Sequence, residues 1–504
     1  MKLPLRAALA GVAAAAVALG LAEIVAVFTG PDSSPLYAVG GVVVDNVPPP
    51  VKDFGIAVFG THDKTALIIG TGVLLALYAA LVGFAALRSR LMAYLGIGIF
   101  AAIGVTAALT RHDAGLAAAL PSLVAGVAAG LALHILVPIA RRSAETGSEA
   151  NFDARRRFLV GLGSAAGVAL AGGFGGRFLT NSRAVTAARD AVVLPQPSGP
   201  APVVPPGAQA PGATAYVTPN REFYRIDTAL YPPQIDPATW QLRIHGMVRN
   251  PITLTWAQLL ERPMVQRYVT LACVSNEVGG DLIGNALWLG TSLKDLLDEA
   301  DPLPGADQAV ARSRDGWTCG SPTELLRDGR DALLAIGMNG QPLPVEHGFP
   351  ARLVVPGLYG YVSACKWITE IELTRFADFD AYWVPRGWSA QGPIKTESRI
   401  DTPREGASRP AGEIVVAGVA WAQHRGISRV EVQVDDQPWA AATLAPAMSD
   451  DTWVQWSYQW AGTAGDHRLR VRATDKTGQV QTEQEAPPAP DGATGWHTVS
   501  LSVG

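Results

Sequence analysis

Five predominantly apolar stretches fill the first 180 residues: 7–28, 65–87, 91–109, 115–140 and 158–178. A helix of about 20 such residues crosses the hydrocarbon of a bilayer, and only a helix or a closed barrel satisfies its own backbone there. This pattern predicts an all-α membrane domain of five transmembrane helices over residues 1–180. The first stretch exceeds the usual apolar core of a signal peptide, and no clear Ala-x-Ala site precedes Gly30, so it reads as an uncleaved helix. Residues 35–60 mix Gly, Val and Pro with Asp45, Lys52 and Asp53 and read as an external or re-entrant loop.

Charge sets the orientation. Lys2 and Arg6 precede the first stretch, Arg88 and Arg90 join the second to the third, and Arg141, Arg142, Arg155, Arg156 and Arg157 precede the fifth. The opposite loops carry Asp32, Asp45, Asp53 and Asp63. Basic loops stay in the cytoplasm, so the N-terminus is expected inside and everything after residue 180 outside. Ala154-Arg155-Arg156-Arg157-Phe158-Leu159-Val160 also resembles a twin-arginine export signal, here internal; an ordinary positive-inside charge run is the competing reading. His134 falls within the fourth stretch, with His62 and His112 at external ends, and no facing pair for a haem is apparent. No other ionisable group is expected well inside a span, which argues against a transport pathway.

Residues 181–215 hold seven prolines with Ser, Gly and Ala and read as a semi-extended tether. Beyond it the chain is an ordinary polar one carrying most of the Trp, and its length of 504 residues predicts two to four domains. A net charge of −4 with no basic stripe excludes a nucleic-acid partner. Strands are expected at Trp240–His245, Val265–Leu271, Ala332–Met338, Ala351–Val355 and Trp367–Leu373, with helices at Ser292–Glu299 and Pro322–Asp328. That is an α+β domain over 216–403. Five further strands between Glu413 and Val503 predict a β-sandwich over 404–504.

Three cysteines, Cys273, Cys319 and Cys365, cannot build a disulfide framework, and the last two stay unassigned. Cys273 follows the strand ending at Leu271 and opens the run Val274-Ser275-Asn276-Glu277-Val278-Gly279-Gly280. Gly- and Asn-rich backbone can approach a bound group closely, and a thiolate at its mouth is a soft metal ligand. Taken alone, the same Cys reads equally as a small buried hydrophobe.

Several runs in order resemble the sulfite oxidase family of molybdenum enzymes. They are Phe223-Tyr224-Arg225, Ile235-Asp236-Pro237 with Trp240 to Gly246, the Cys273 loop, Leu333 to Pro344, Glu346 to Gly357, and Tyr359-Gly360-Tyr361 through Lys366-Trp367. The resemblance covers about residues 216–504 and leaves the membrane half outside it. It implies a Mo-molybdopterin cofactor whose metal is bound by Cys273. It further implies cofactor contacts from Tyr224, Arg225, Asp315, His347, Arg352, Ser363 and Lys366, with His347 and Arg352 at the pterin phosphate. The stretch Ser363-Ala364-Cys365-Lys366 is one residue longer than the usual spacing, which puts Ser363 in doubt. The 404–504 sandwich matches the family's immunoglobulin-like dimerisation domain, so a homodimer is among the partners implied, with a small-molecule substrate and an electron carrier of unspecified kind.

Two departures bear on the substrate. The family follows its cysteine with Ala-Gly-Asn-Arg-Arg; this chain keeps Asn276 but has Glu277 and Val278 in place of the arginines. The family's active-site tyrosine, in Trp-x-x-Arg-x-Tyr, falls at Trp388 in Trp383-Val384-Pro385-Arg386-Gly387-Trp388, where Arg386 survives. Indole donates one hydrogen bond and is no acid or base at useful pH. The expectation is a membrane-anchored extracytoplasmic molybdopterin oxidoreductase performing two-electron oxygen-atom transfer on a small substrate other than sulfite. An S-oxide or N-oxide reductase is the alternative, and a cofactor-free binding protein on a decayed domain is the reading from a different class.

Overall fold

Segments rich in Ala, Gly and Leu gain most, in hydrocarbon, by closing their backbone bonds internally and packing on small residues. The computed structural model describes residues 3–30, 33–48, 51, 58–59, 63–112, 114–143, 150–182, 185–200 and 202–504. It divides into one unit of residues 1–184 with 228–232 and a second of 185–227 with 233–504.

The first unit is helical: α1 (Leu3–Thr29), α2 (Pro35–Asn46), α3 (Asp63–Ala85), α4 (Arg90–Leu109), α5 (Leu120–Arg142) and α6 (Ala150–Ser182). Small residues set the contacts. A Cβ on Gly11 of α1 would stand 2.0 Å from the Ala79 carbonyl of α3, and one on Gly172 of α6 would stand 2.3 Å from the Gly20 carbonyl of α1. Among the described residues four helices are long and apolar enough to cross a membrane: Leu3–Thr29, Lys64–Ala85, Arg90–Leu109 and Leu116–Arg142. The fifth expected span falls within the helix α6, which is not among those four.

Two expectations for this unit change. Residues 35–46 of the supposed loop are the helix α2, started by Pro35 at its first turn. Glu23 lies inside α1, so an ionisable group does sit within a span; its carboxylate accepts from Ser34 Oγ at 2.5 Å. Asp32, Lys52, Asp53 and His62 fall outside the described residues. His134 Nδ1 pairs with Tyr94 Oη at 2.9 Å. Arg6 donates to Ser143 Oγ at 2.8 Å and Arg141 to the Leu87 carbonyl at 2.7 Å, which gathers the start of α1, the α3–α4 turn and the end of α5 at one end of the bundle. Arg111 pairs with Asp45 at 2.5 Å.

The second unit opens with the short α7 (Thr186–Asp190). The Pro-rich stretch after it lies along this unit: Ser198 N donates to Met264 O at 2.7 Å, Ala210 N to Gln455 Oε1 at 2.7 Å and Thr214 N to Asp401 Oδ2 at 2.9 Å. Then follow β1 (Gln241–Gly246), β2 (Ile252–Thr255), α8 (Trp256–Leu260), β3 (Val265–Ala272), β4 (Ile283–Ser292), α9 (Leu293–Ala300), β5 (Gln308–Ser313), β6 (Thr318–Pro322), β7 (Leu333–Met338), β8 (Gln341–Pro342), β9 (Arg352–Val354), α10 (Gly360–Ser363) and β10 (Ile368–Thr374). One sheet runs β2-β1-β10-β5-β6, with β1 and β10 parallel. Another runs β3-β4-β7-β8, with β9 beside β7. This is the expected α+β domain. The helix expected at Pro322–Asp328 is absent: Pro322 closes β6 opposite Gln308, and the chain continues in turns, with Leu325 N on Pro322 O at 3.1 Å and Arg327 N on Glu324 O at 3.1 Å.

The C-terminal strands are β11 (Glu397–Thr402), β12 (Ala407–Arg409), β13 (Gly412–Trp421), β14 (Ile427–Val434), β15 (Ala440–Ala441), β16 (Thr443–Leu444), β17 (Val454–Gly462), β18 (Gly465–Asp475) and β19 (His497–Val503). They form two sheets, β11-β13-β17-β16 and β12-β19-β18-β14-β15. Val416, Trp456, Val432, Val471 and Leu501, drawn from both, share one core, so the sheets make a sandwich.

A buried polar knot ties β3 to this sandwich. Thr270 N donates to Asp451 O at 2.9 Å, Trp453 N to Thr270 Oγ1 at 2.8 Å, and Gln423 Nε2 to Thr270 O at 3.0 Å. Asn285 Nδ2 and Trp453 Nε1 both donate to Tyr216 O, at 2.9 and 3.0 Å. Satisfied networks of this kind fix a unique arrangement.

Candidate cofactor site

β3 and β4 form a hairpin whose connection begins with Cys273. The loop is closed by its own groups: Cys273 N donates to Leu282 O at 2.9 Å, Asn276 N to Cys273 O at 3.1 Å, and Leu282 N to Asn276 Oδ1 at 2.8 Å. A Cβ on Gly280 would stand 2.6 Å from that same Oδ1, so the closure requires glycine there. From the sandwich side, Arg399 Nη1 donates to Gly280 O at 2.8 Å. Cys273 is buried and free, and burial pushes its thiol above the ordinary value, with Ser275 and Lys366 acting against that. Asn276 is buried too, and its Nδ2 has no partner.

Beside this loop lies a cluster of cations. Lys366 Nζ pairs with Asp227 Oδ2 at 2.6 Å and donates to Glu346 O at 3.2 Å; Arg225 Nε reaches the same carboxylate at 2.9 Å. Arg352 Nη1 donates to His347 O at 3.2 Å, and its guanidinium stands 5.0 Å over Trp288. His347 Nε2 faces Asn220 O at 3.0 Å, and its ring meets Phe223 edge-on. Gly348 holds a φ of +109°, and a Cβ there would press within 3.1 Å of both Arg352 and Lys366; only glycine lets the two cations flank this turn. Trp367 takes a φ of +52° although it is bulky, a strained conformation next to Lys366 that its Nε1 bond to Val345 O at 2.7 Å holds in place.

The electrostatics show the crowding. Burial, then Arg352 and Lys366, hold the His347 imidazole down at about 4, so it is neutral at physiological pH. Burial lowers Lys366 to about 8 in spite of Asp227, and lowers Arg352 to about 10. Burial likewise pushes Tyr224 up, with Cys273 adding to it and Arg352 opposing, and pushes Asp315 up, with Asp227 adding and Lys366 opposing. Cys273, Tyr224, Arg225, Asp315, His347, Arg352 and Lys366 therefore share one electrostatic neighbourhood.

Three residues named from the sequence stand apart from it. Ser363 Oγ turns back onto Tyr359 O at 3.0 Å and Leu358 O at 3.3 Å. Arg386 donates to Tyr382 O at 2.5 Å and lies 3.7 Å over the Tyr382 ring. Trp388 packs between Tyr361 and Trp383, at 5.8 and 6.1 Å between centroids. Glu277 is exposed, so water screens its effect on an anion near Cys273.

Sequence reasoning gave no role to Asp227, Trp288 or Tyr359. Asp227 is the acidic partner of two of the cations, but it lies 139 residues from Lys366 with no motif around it. Tyr359 is buried and pushed up by burial, Glu397 and Cys273; the run Tyr359-Gly360-Tyr361 was its only signal. A Cβ on Gly360 would stand 3.8 Å from Ala272 O and 3.9 Å from Tyr224 Oη, which places the start of α10 against the end of β3.

Known proteins resemble this chain in the same region. The family model described as the oxidoreductase molybdopterin binding domain matches residues 229–383. Sulfite oxidase of Gallus gallus is 28% identical over 326 residues, 55% of this chain and 70% of its own length. Mitochondrial sulfite oxidase of Homo sapiens is 28% identical over 321 residues, and the match spans 54% of this chain but only 58% of that relative. A solved structure, the sulfane dehydrogenase SoxCD from Paracoccus pantotrophus, covers 57% of this chain and 81% of its own at 24% identity and a TM-score of 0.49.

The residues present fit the cofactor. A buried excess of positive charge around one carboxylate suits a phosphate, the orphaned Asn276 Nδ2 is a donor awaiting an acceptor, and Cys273 offers a thiolate once a metal displaces its proton. Residues 229–383 carry the oxidoreductase molybdopterin binding domain, and the chain is a molybdenum-dependent oxidoreductase with Mo-molybdopterin as cofactor, similar over about half its length to sulfite oxidases.

Proposed function

We propose that this is a membrane-anchored enzyme whose catalytic unit lies outside the cytoplasm and moves an oxygen atom to or from a small substrate other than sulfite. The observation that carries the catalytic part is the cluster of buried His347, Arg352 and Lys366 with the more exposed Arg225, in which Asp227 pairs with Arg225 and Lys366, set beside the Cys273 thiol. When bound, the molybdopterin supplies two-electron oxygen-atom chemistry. Arg352 and Lys366 would hold its phosphate, His347, whose single N–H goes to Asn220 O, would border that phosphate, Asp315 and Tyr224 would contact the pterin, and Cys273 would bind the metal.

The substrate reading rests on where the sequence departs from the family pattern. Two arginines of the family are replaced by Glu277 and Val278, and a tyrosine by Trp388, so anion attraction and acid–base capacity are both reduced. Arg386 is the cation left to orient a substrate. A neutral S-oxide or N-oxide, reduced by electrons from a carrier, suits such a pocket better than a sulfite dianion. The topology reading has Arg6, Arg88, Arg90 and Arg141 at a cytoplasmic end, five crossings with α6 as the last, and export aided by Arg155 and Arg156. We read the sandwich as the family's immunoglobulin-like dimerisation domain.

The test is molybdenum per polypeptide in detergent-purified full-length protein, followed by a substrate screen with dye donors and dye acceptors. Metal near one per chain and turnover of S-oxides or N-oxides are expected. Metal near zero from a cofactor-competent host overturns the enzyme reading, and sulfite as the best substrate overturns the specificity. A reporter fused after residue 190 should be active only outside the cytoplasm.

A further inference from the structure

Within the helical unit, α1, α3, α4 and α5 leave a crevice of about 620 Å³, part of it open to the outside of the bundle. Its α1 wall runs from Gly11 to Leu19, about 12 Å along the axis. The lining is apolar and carries no charged side chain. Only two hydroxyls border it. Tyr78 Oη is spent on Gly96 O at 2.9 Å, and its ring stacks with Phe100 at 5.7 Å. Ser122 is 1% exposed and its Oγ has no partner. Gly104 opposite bears no side chain, and a Cβ there would stand 2.6 Å from that Oγ. At the same end lies Pro35, whose neighbour Ser34 donates to Glu23, one helical turn beyond Leu19.

An unpaired hydroxyl buried in hydrocarbon costs about 1–3 kcal/mol. A lipid acyl chain would fill the apolar length and leave that cost standing. A flat ring with carbonyl oxygens and an apolar tail would fill the length, lie against the Tyr78–Phe100 pair and accept from Ser122. We propose that this crevice binds a quinone of the membrane pool, with a ring carbonyl on Ser122 and the tail along α1. The choice of a redox-active lipid over other carbonyl-bearing lipophiles rests on reading the chain as a membrane-anchored oxidoreductase in need of an electron carrier.

The test uses full-length protein in phospholipid nanodiscs, with decyl-benzoquinone as the probe and binding read by equilibrium dialysis. One quinone per chain is expected. Ser122→Ala should weaken binding roughly fivefold to tenfold, the worth of one hydrogen bond, and Ala129→Leu, which fills the crevice, should abolish it. Molybdenum content, helicity by far-UV circular dichroism and thermal melting in both variants should equal those of the parent, which shows that both units fold. Absence of quinone binding in parent protein with full molybdenum overturns this inference and leaves the enzyme reading intact. Equal binding in the parent and both variants, or native mass spectra that retain only phospholipid on the parent, overturns it as well. Quinone binding in protein without molybdenum would sink the enzyme reading instead.

Discussion

The two clusters assigned to the phosphate end and the reacting end of the proposed pocket are built on different principles. The phosphate end is buried and crowded: Lys366 and Asp227 side chains are 10% and 5% exposed, and each cation is tied to backbone or to the shared carboxylate. The reacting end is looser, with Arg386 and Trp388 half-buried in an aromatic cluster with Tyr361, Trp383 and Tyr382. Holding a cofactor needs fixed charge in a dry place, while admitting substrates needs access. The difference predicts that substitutions at the first end unload the protein and substitutions at the second change what it turns over.

The largest effect should come from Cys273→Ser, which removes the metal ligand but none of the phosphate contacts. Turnover should be lost while pterin, measured by fluorescence after oxidative release, stays bound; undiminished turnover would show that Cys273 is not the ligand. Next is Asp227→Asn, which breaks a buried ion pair. A loss of about 3 kcal/mol is expected in denaturant unfolding of the catalytic unit, since Lys366 is left uncompensated. Arg352→Ala should cost roughly tenfold to a hundredfold in cofactor retention, read as molybdenum per chain after gel filtration. Arg386→Ala should leave the metal content unchanged and act on KM and kcat alone; a fall in metal content there would erase the contrast between the two ends.

The smallest effect is a pH slope. Burial raises the Glu397 carboxyl to about 8, with Lys395 opposing. Between its unfolded value, about 4.5, and 8 the folded state holds a proton that the unfolded state has lost, so stability falls as pH rises through that window. Glu397→Gln should flatten this part of a melting-temperature profile, and an unchanged slope would assign it to other groups.

Legibility in the sequence follows the range of the interaction. Strand β3 and the loop after it were readable because β-branched and apolar residues lead into Gly/Asn backbone, whereas its partner β4 was not among the expected strands. Cys273, His347, Arg352 and Lys366 were singled out because they stand in runs that resemble a family, and the structure brings them into one neighbourhood. Asp227 was not, since its role exists only once residue 366 is folded against it. Helix α2 hid behind a Gly/Val/Pro composition that is poor by propensity and is stabilised by packing on α4, where Ala38 shares a small core with Ala107 and Ala108. The helix expected after Pro322 failed for the opposite reason: good local formers were overridden by the pairing of β5 with β6.

The polar knot behind β3 has a practical meaning for anyone dissecting this chain. The strand that delivers Cys273 takes three of its bonds from Gln423, Asp451 and Trp453, all within the sandwich. A cut near residue 403 would strip Thr270 of those partners and open the back of the strand that leads to Cys273 to water. Because β18 and β19 share the core of the sandwich that supplies those partners, the smallest autonomous piece of this half of the protein extends through β19.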